Sequence, residues 1–184
     1  MTAPRPGRII AIVGPSGVGK DTLIAAAIAR RPDLRWIRRA ITRPEEAGGE
    51  PFEGVSHADF EARRAAGGFA LWWEAHGLLY GIPRHAADDL AAGHMVLFNG
   101  SRRAIDKARA VFPQLEVVMI TAPRDVLAAR LSARGRESEA DIAERLDGAA
   151  YPAPAGARIV VNDGTIAEGA ARLLAALTRK EETA

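Results

Sequence analysis

Apolar residues fall along this chain in two rhythms. Short, largely apolar runs recur at 9–13, 95–98, 117–121 and 158–161. Apolar runs of this length, bounded by turn residues, mark strands buried on both faces. Between them, apolar positions are spaced three and four apart, as on one side of a helix. Such stretches cover 21–31, 84–92, a segment ending near 111, 124–134 and 166–177. Strand and helix alternate, so the pattern predicts an α/β fold: a parallel sheet with helices on both faces.

Local signals set the boundaries. Residues 1–7 read as a loose leader. A strand over 8–13 leads to a helix over 21–31 that Pro32 ends. Residues 34–41 read as extended and rich in arginine (Arg35, Arg38, Arg39), followed by a glycine-rich acidic loop to Gly54. Ser56 and Asp59 have capping-box spacing and open a helix over 58–66, which Gly67 and Gly68 stop. A strand over 69–75 puts Trp72 and Trp73 on opposite faces. Tyr80-Gly81-Ile82-Pro83 reads as a turn, and the next helix ends at Gly93. Asn99 to Arg103 form a polar turn after the 95–98 strand. Pro123 suits the first position of a helix. Ser138 and Asp141 make a second capping box, opening a short helix to about 146. Asn162-Asp163-Gly164 turn from the last strand into the last helix.

The chemistry is concentrated after the first strand, in Gly14-Pro15-Ser16-Gly17-Val18-Gly19-Lys20-Asp21. Strand, glycine-rich loop and helix are the context of a phosphate-binding P-loop. Glycines let the backbone curl so that several N–H groups converge on an anion. The helix N-terminus adds about half a positive charge, and Lys20 adds a full one. Asp21 stands where such loops usually carry the Ser or Thr that ligates Mg²⁺, and Thr22 follows one residue later. A carboxylate is a hard oxygen ligand, so Asp21 is the metal candidate, binding directly or through water.

Composition sets limits. At 184 residues the chain is long enough for one domain with its own core. A hydrophobic content of 48% with 26% charged residues fits a soluble globular protein. No cysteine is present, which excludes disulfide scaffolds and thiolate metal sites. A net charge of +2 is too slight to argue for nucleic acid. No apolar run approaches a membrane span, and no signal peptide is evident.

Thr42-Arg43, Gly49-Glu50, Tyr80-Gly81, the Arg130 to Gly135 stretch and Asn162-Asp163 follow one another in an order that resembles guanylate kinases. The resemblance covers nearly the whole chain. It implies a single P-loop NTPase domain over 1–184 with a five-stranded parallel core (8–41, 94–134 and 157–178), an acceptor-binding region over about 42–92 and a helical lid over about 135–150. The acceptor region departs from guanylate kinases where a base is read. A gapless alignment puts Leu71 in place of a guanine-reading glutamate and Ile82 in place of a threonine. Asn99-Gly100 fall near an acidic pair, and Pro44-Glu45-Glu46 replace a second phosphate-binding arginine. A purine facing Leu71 would lose hydrogen bonds that can be worth about 10⁴ in discrimination.

A sub-branch is more similar. The P-loop with its Asp21, Ile41-Thr42-Arg43-Pro44, Gly48-Gly49-Glu50, the Trp73 to Pro83 segment, Asn99-Gly100-Ser101-Arg102 and Ala133-Arg134-Gly135-Arg136-Glu137 resemble ribose 1,5-bisphosphate phosphokinases of phosphonate degradation. That resemblance implies ATP and Mg²⁺ as cofactors, a small sugar phosphate as acceptor, 5-phosphoribosyl 1-diphosphate as product, no nucleic-acid or membrane partner, and a cytoplasmic location. It implies that residues 14–22 (Gly14 to Thr22) bind ATP and that Asn162 and Asp163 line the adenine site. It gives Lys20, Arg130, Arg134 and Arg145 the transferring group, and Arg43 and Tyr80 the acceptor phosphate. His76, Asn99, Ser101 and Arg102 are the candidates for the second phosphate and the ribose hydroxyls. Guanylate kinase, another nucleoside-monophosphate kinase, or a non-catalytic module of the same fold are the alternatives.

Overall fold

The computed structural model describes residues 7–45, 51–133, 142–143, 146 and 152–178. In chain order the elements are β1 (Arg8–Val13), α1 (Lys20–Arg30), β2 (Arg35–Trp36), β3 (Arg39–Ile41), β4 (Phe52–Gly54), α2 (His57–Ala65), β5 (Phe69–Ala75) and β6 (Leu78–Pro83). They continue with α3 (His85–Ala91), β7 (Met95–Asn99), a 3-10 turn (Arg102–Ala104), α4 (Ile105–Val111), β8 (Glu116–Thr121), α5 (Arg124–Ala133), β9 (Arg158–Val161) and α6 (Ile166–Thr178). Five strands form one parallel sheet in the order β2-β7-β1-β8-β9. The long β strands of this sheet are the apolar runs of the sequence, and Ile9 to Val13 are fully buried. β1 lies where the strand order turns back, so the loop after it opens at the end of the sheet where such folds bind ligands.

The chain divides within β1 into two compact units, residues 1–11 with 32–116 and residues 12–31 with 117–184. The first unit holds a second sheet in the order β4-β3-β6-β5. Phe60, the buried residue of α2, packs with Ala40 and Leu79 and stacks on Phe69 at 4.5 Å. Its helix starts as the sequence predicts, with Ser56 Oγ accepting from the Asp59 N–H at 3.0 Å. Arg8 meets Glu116 through Nε at 2.6 Å and Nη2 at 2.7 Å.

Three local expectations change in this unit. Tyr80 to Pro83 are not a turn but part of β6, paired antiparallel with β5. The turn is His76-Gly77, with φ of 52° and 70°, closing a two-residue hairpin between Ala75 and Leu78. Both residues have the positive φ that the strand twist favours at such tips. Pro83 is tolerated because β3 pairs with β6 only at Tyr80 and Gly81. The extended stretch 34–41 splits, β2 joining the larger sheet and β3 the smaller. The loop to Gly54 hides β4, which pairs parallel with β3 and buries Phe52.

In the second unit, Leu127 and Leu131 of α5 lie beneath the P-loop, within reach of a Cβ at Gly17. α6 packs on α1 so closely that a Cβ at Gly169 would stand 2.7 Å from Leu23 Cδ2. α6 opens on a reciprocal cap that the sequence analysis missed. Glu168 Oε2 accepts from the Thr165 N–H at 2.8 Å, and Thr165 Oγ1 accepts from the Glu168 N–H at 3.2 Å.

Candidate active site

The donor candidates lie in the second unit. β1 ends at Val13, and the chain reaches α1 through glycines at positive φ: 150° at Gly14, 81° at Gly17 and 94° at Gly19. Gly19 is the N-cap of α1 and supplies no side-chain cap. A helix start without a side-chain cap is the usual setting of anion binding. The Lys20 ammonium donates to the carbonyls of Gly14 and Pro15, both at 2.9 Å. A full positive charge is thus tethered to the same loop. Pro15 and Val18 are buried, Ser16 and Thr22 are exposed, and Asp21 is half-buried in the first turn of α1.

Asn162 stands behind this loop at the end of β9. It is 5% exposed. Its backbone N–H donates to Thr121 O at 2.7 Å and its Nδ2 to Val18 O at 2.8 Å. Arg130, on α5, donates through Nη1 to Asn162 O at 3.0 Å and approaches Val18 O at 3.4 Å. Asp163 is exposed and accepts from Arg172, which also donates to Val161 O at 2.7 Å. That hydrogen bond from Arg172 holds the Asp163 carboxyl below its ordinary value.

The donor set fits a nucleotide phosphate: a glycine-rich loop at a helix N-terminus, Lys20 and, nearby, Arg130. Among the described residues no group of three or more His, Cys, Asp or Glu is placed to hold a metal ion. Mg²⁺ keeps waters and binds through one or two carboxylates plus substrate phosphates. Asp21 is the carboxylate at the loop.

The acceptor candidates lie in the first unit. Tyr80 sits in β6 opposite Trp73, the rings stacked at 5.4 Å with planes 6° apart. Arg43 follows β3, its guanidinium 4.4 Å from the Phe52 ring centroid. With Thr42 and His57, Arg43 borders a concave pocket of about 660 Å³. His76 is exposed at the hairpin tip. Asn99, 3% exposed, accepts through Oδ1 from the Trp36 indole at 3.1 Å. Ser101 and Arg102, half-buried, begin the 3-10 turn. Arg134 and Arg145, the 46–50 segment and the second capping box lie outside the described residues.

Arg39 belongs to no motif of the sequence. It is 7% exposed, and its guanidinium lies 5.0 Å from the Tyr80 centroid and 5.5 Å from that of Trp73. Arg38, just before β3, is exposed, whereas Arg39, Ala40 and Ile41 are all buried, so no alternation in the sequence marked Arg39.

No family model matches the chain. It is 50% identical over 143 residues to the ribose 1,5-bisphosphate phosphokinase PhnN of Rhizobium etli (strain CIAT 652), over 76% of this chain and 73% of that protein. It is 48% identical over 159 residues to the protein of the same name from Ruegeria sp. (strain TM1040), over 86% of this chain and 84% of that one. Among solved structures, the guanylate kinase of Anaplasma phagocytophilum superposes with a TM-score of 0.66 at 19% identity, over 92% of this chain and 83% of that chain. This last likeness shows the fold, a P-loop kinase core of guanylate-kinase type. At half identity over most of both chains, the two sequence relatives decide the family: the chain belongs to the ribose 1,5-bisphosphate phosphokinases and is a kinase.

Proposed function

We propose that this protein transfers the γ-phosphoryl group of ATP, with Mg²⁺, to the 1-phosphate of ribose 1,5-bisphosphate, giving ADP and 5-phospho-α-D-ribose 1-diphosphate. The setting is phosphonate breakdown in the cytoplasm. The observation that carries the acceptor is the character of one sheet face. Leu71, 2% exposed, pairs with Ile82, and Trp73 pairs with Tyr80. Arg39 lies over the aromatic pair. Among the described residues this face carries the Arg39 guanidinium and no carboxylate. A purine base needs acceptors for its N–H groups, whereas a sugar bisphosphate needs positive charge.

The attacking group is a phosphate oxygen, already ionised at neutral pH. No general base is required, and catalysis is positioning plus neutralisation of charge. Bound ATP supplies the phosphoryl group, and Mg²⁺, held through Asp21, supplies a counter-charge to its phosphates. The loop N–H groups and Lys20 bind and orient the donor phosphates. Arg130, Arg134 and Arg145 meet the charge on the transferring group, a contribution of roughly 10³–10⁵ in rate for one well-placed arginine. Arg43 and Tyr80 hold the acceptor phosphate. His76, Asn99, Ser101 and Arg102 hold the far phosphate and ribose hydroxyls, and Asn162 and Asp163 border the adenine.

The test is ADP release from Mg-ATP with ribose 1,5-bisphosphate and, in parallel, with GMP. Turnover with the sugar bisphosphate alone is the expected result. Turnover with GMP alone would overturn the acceptor assignment.

A further inference from the structure

The peptide between Val18 and Gly19 is the joint of the donor loop. A trans peptide is rigid, so its C=O and N–H point in opposite directions. If the Val18 carbonyl faces away from the phosphates, the Gly19 N–H faces them. If the peptide flips, a carbonyl oxygen meets the anion instead. Gly19 sits at φ 94° and, as glycine, resists such a flip little. The chain therefore needs something to hold this carbonyl outward.

Asn162 is placed to do so. Its buried Nδ2 donates to Val18 O at 2.8 Å, and Arg130 approaches the same oxygen from α5. The amide is wedged between two glycines. A Cβ at Gly19 would stand 2.7 Å from Asn162 Nδ2, and one at Gly169 would stand 2.9 Å from Asn162 Oδ1. Gly169 lies inside α6, where glycine is about 1 kcal/mol worse than alanine in a helix. In a helix whose neighbours include Ala167, Ala170 and Ala171, a glycine at this position answers to a steric demand, and Asn162 and Leu23 make it.

We infer that Asn162 is a positioning residue that locks the Val18–Gly19 peptide with its N–H toward the donor phosphates, and that Gly169 sets the place of Asn162 from the far side. The inference rests on the nucleotide-donor reading of the loop and is independent of the acceptor. It also separates two roles for Asn162: contact with the base, or support of the phosphate loop.

Inorganic tripolyphosphate, which has no base, tells them apart. Its dissociation constant and that of ATP are measured by calorimetry on the full chain for wild type, Asn162→Leu and Gly169→Ala. Asn162→Leu is close in size and uncharged, and it removes the donor. It is expected to weaken ATP and tripolyphosphate by the same factor, about tenfold, the scale of one lost buried hydrogen bond. Gly169→Ala is expected to weaken both in the same ratio, though alanine favours the helix. Loss of ATP affinity with tripolyphosphate unchanged would overturn the inference in favour of a base contact. Unchanged affinity for both ligands, with only the melting temperature altered, would overturn it in favour of a purely structural asparagine. A wild type that binds ATP and tripolyphosphate but does not phosphorylate the sugar bisphosphate would count against the proposed acceptor and leave this test intact.

Discussion

Tyr80 and Trp73 lie face to face across the β5–β6 hairpin, their planes 6° apart, and the Arg39 guanidinium spans both rings. A cation over two aromatic faces in a buried setting is worth about 2 kcal/mol or more, and here it fixes the plane of the tyrosine assigned to the acceptor phosphate. Arg39→Lys keeps the charge and loses the planar stack. It is expected to raise KM for ribose 1,5-bisphosphate about tenfold with the ATP KM within about twofold. Equal changes in both constants would show that Arg39 serves the fold alone.

Lys20 is already held beside the loop by the carbonyls of Gly14 and Pro15. Lys20→Met leaves an apolar stem of similar length and removes the charge. Losing one preorganised electrostatic group costs about 10²–10³ in kcat. Single-turnover rates at saturating ATP read this directly, and a variant within tenfold of wild type would refute the role.

Arg102 begins the 3-10 turn after β7, in the first unit. Arg102→Ala is expected to raise KM for the bisphosphate while leaving the ATP KM nearly unchanged. Steady-state kinetics with each substrate varied in turn decides it, and parallel rises would remove Arg102 from the acceptor site.

The carboxyls of Asp163 and Glu168 both lie below their ordinary values of 3.8 and 4.5. For Asp163 the chief cause is the hydrogen bond from the Arg172 side chain, and for Glu168 it is the Thr165 backbone N–H. A depressed folded-state pKa adds stability that is present above the unfolded value and lost as pH falls through the folded one. The start of α6 should therefore loosen on acidification from about pH 5 to 3. Both groups are exposed, so solvent screening keeps the effect small. Melting temperature against pH is expected to fall less steeply in Asp163→Asn than in wild type over that window. Parallel curves would mean the pair adds nothing.

Much of this was legible in the sequence because the signals were local. The P-loop is announced by a strand, three glycines, a lysine and a helix within 25 residues of chain, and the structure joins them in that order. What was hidden depended on partners far away. Gly81-Ile82-Pro83 carries turn-forming residues, yet pairing with Phe69 and Leu71 holds it extended, and the less conspicuous His76-Gly77 turns instead. β4 is three residues long and exists because β3 lies beside it. Arg39 is indistinguishable in type from exposed Arg35 and Arg38, and only its burial against the aromatic pair sets it apart. Asn162 was read as a turn residue near a base, since nothing in the sequence reveals that its amide reaches a carbonyl 144 positions earlier.

That separation has a consequence for how the protein comes into being. The groups that meet the Val18 carbonyl lie 112 and 144 residues further along the chain. A ribosome delivers the loop sequence early and its supports late, and contacts so distant form only after a costly closure of the intervening chain. Nascent chains ending before Asn162 would carry the complete glycine motif and still lack the brace that orients it. Competence to hold a nucleotide thus waits, during synthesis, on side chains delivered more than a hundred positions after the loop they brace.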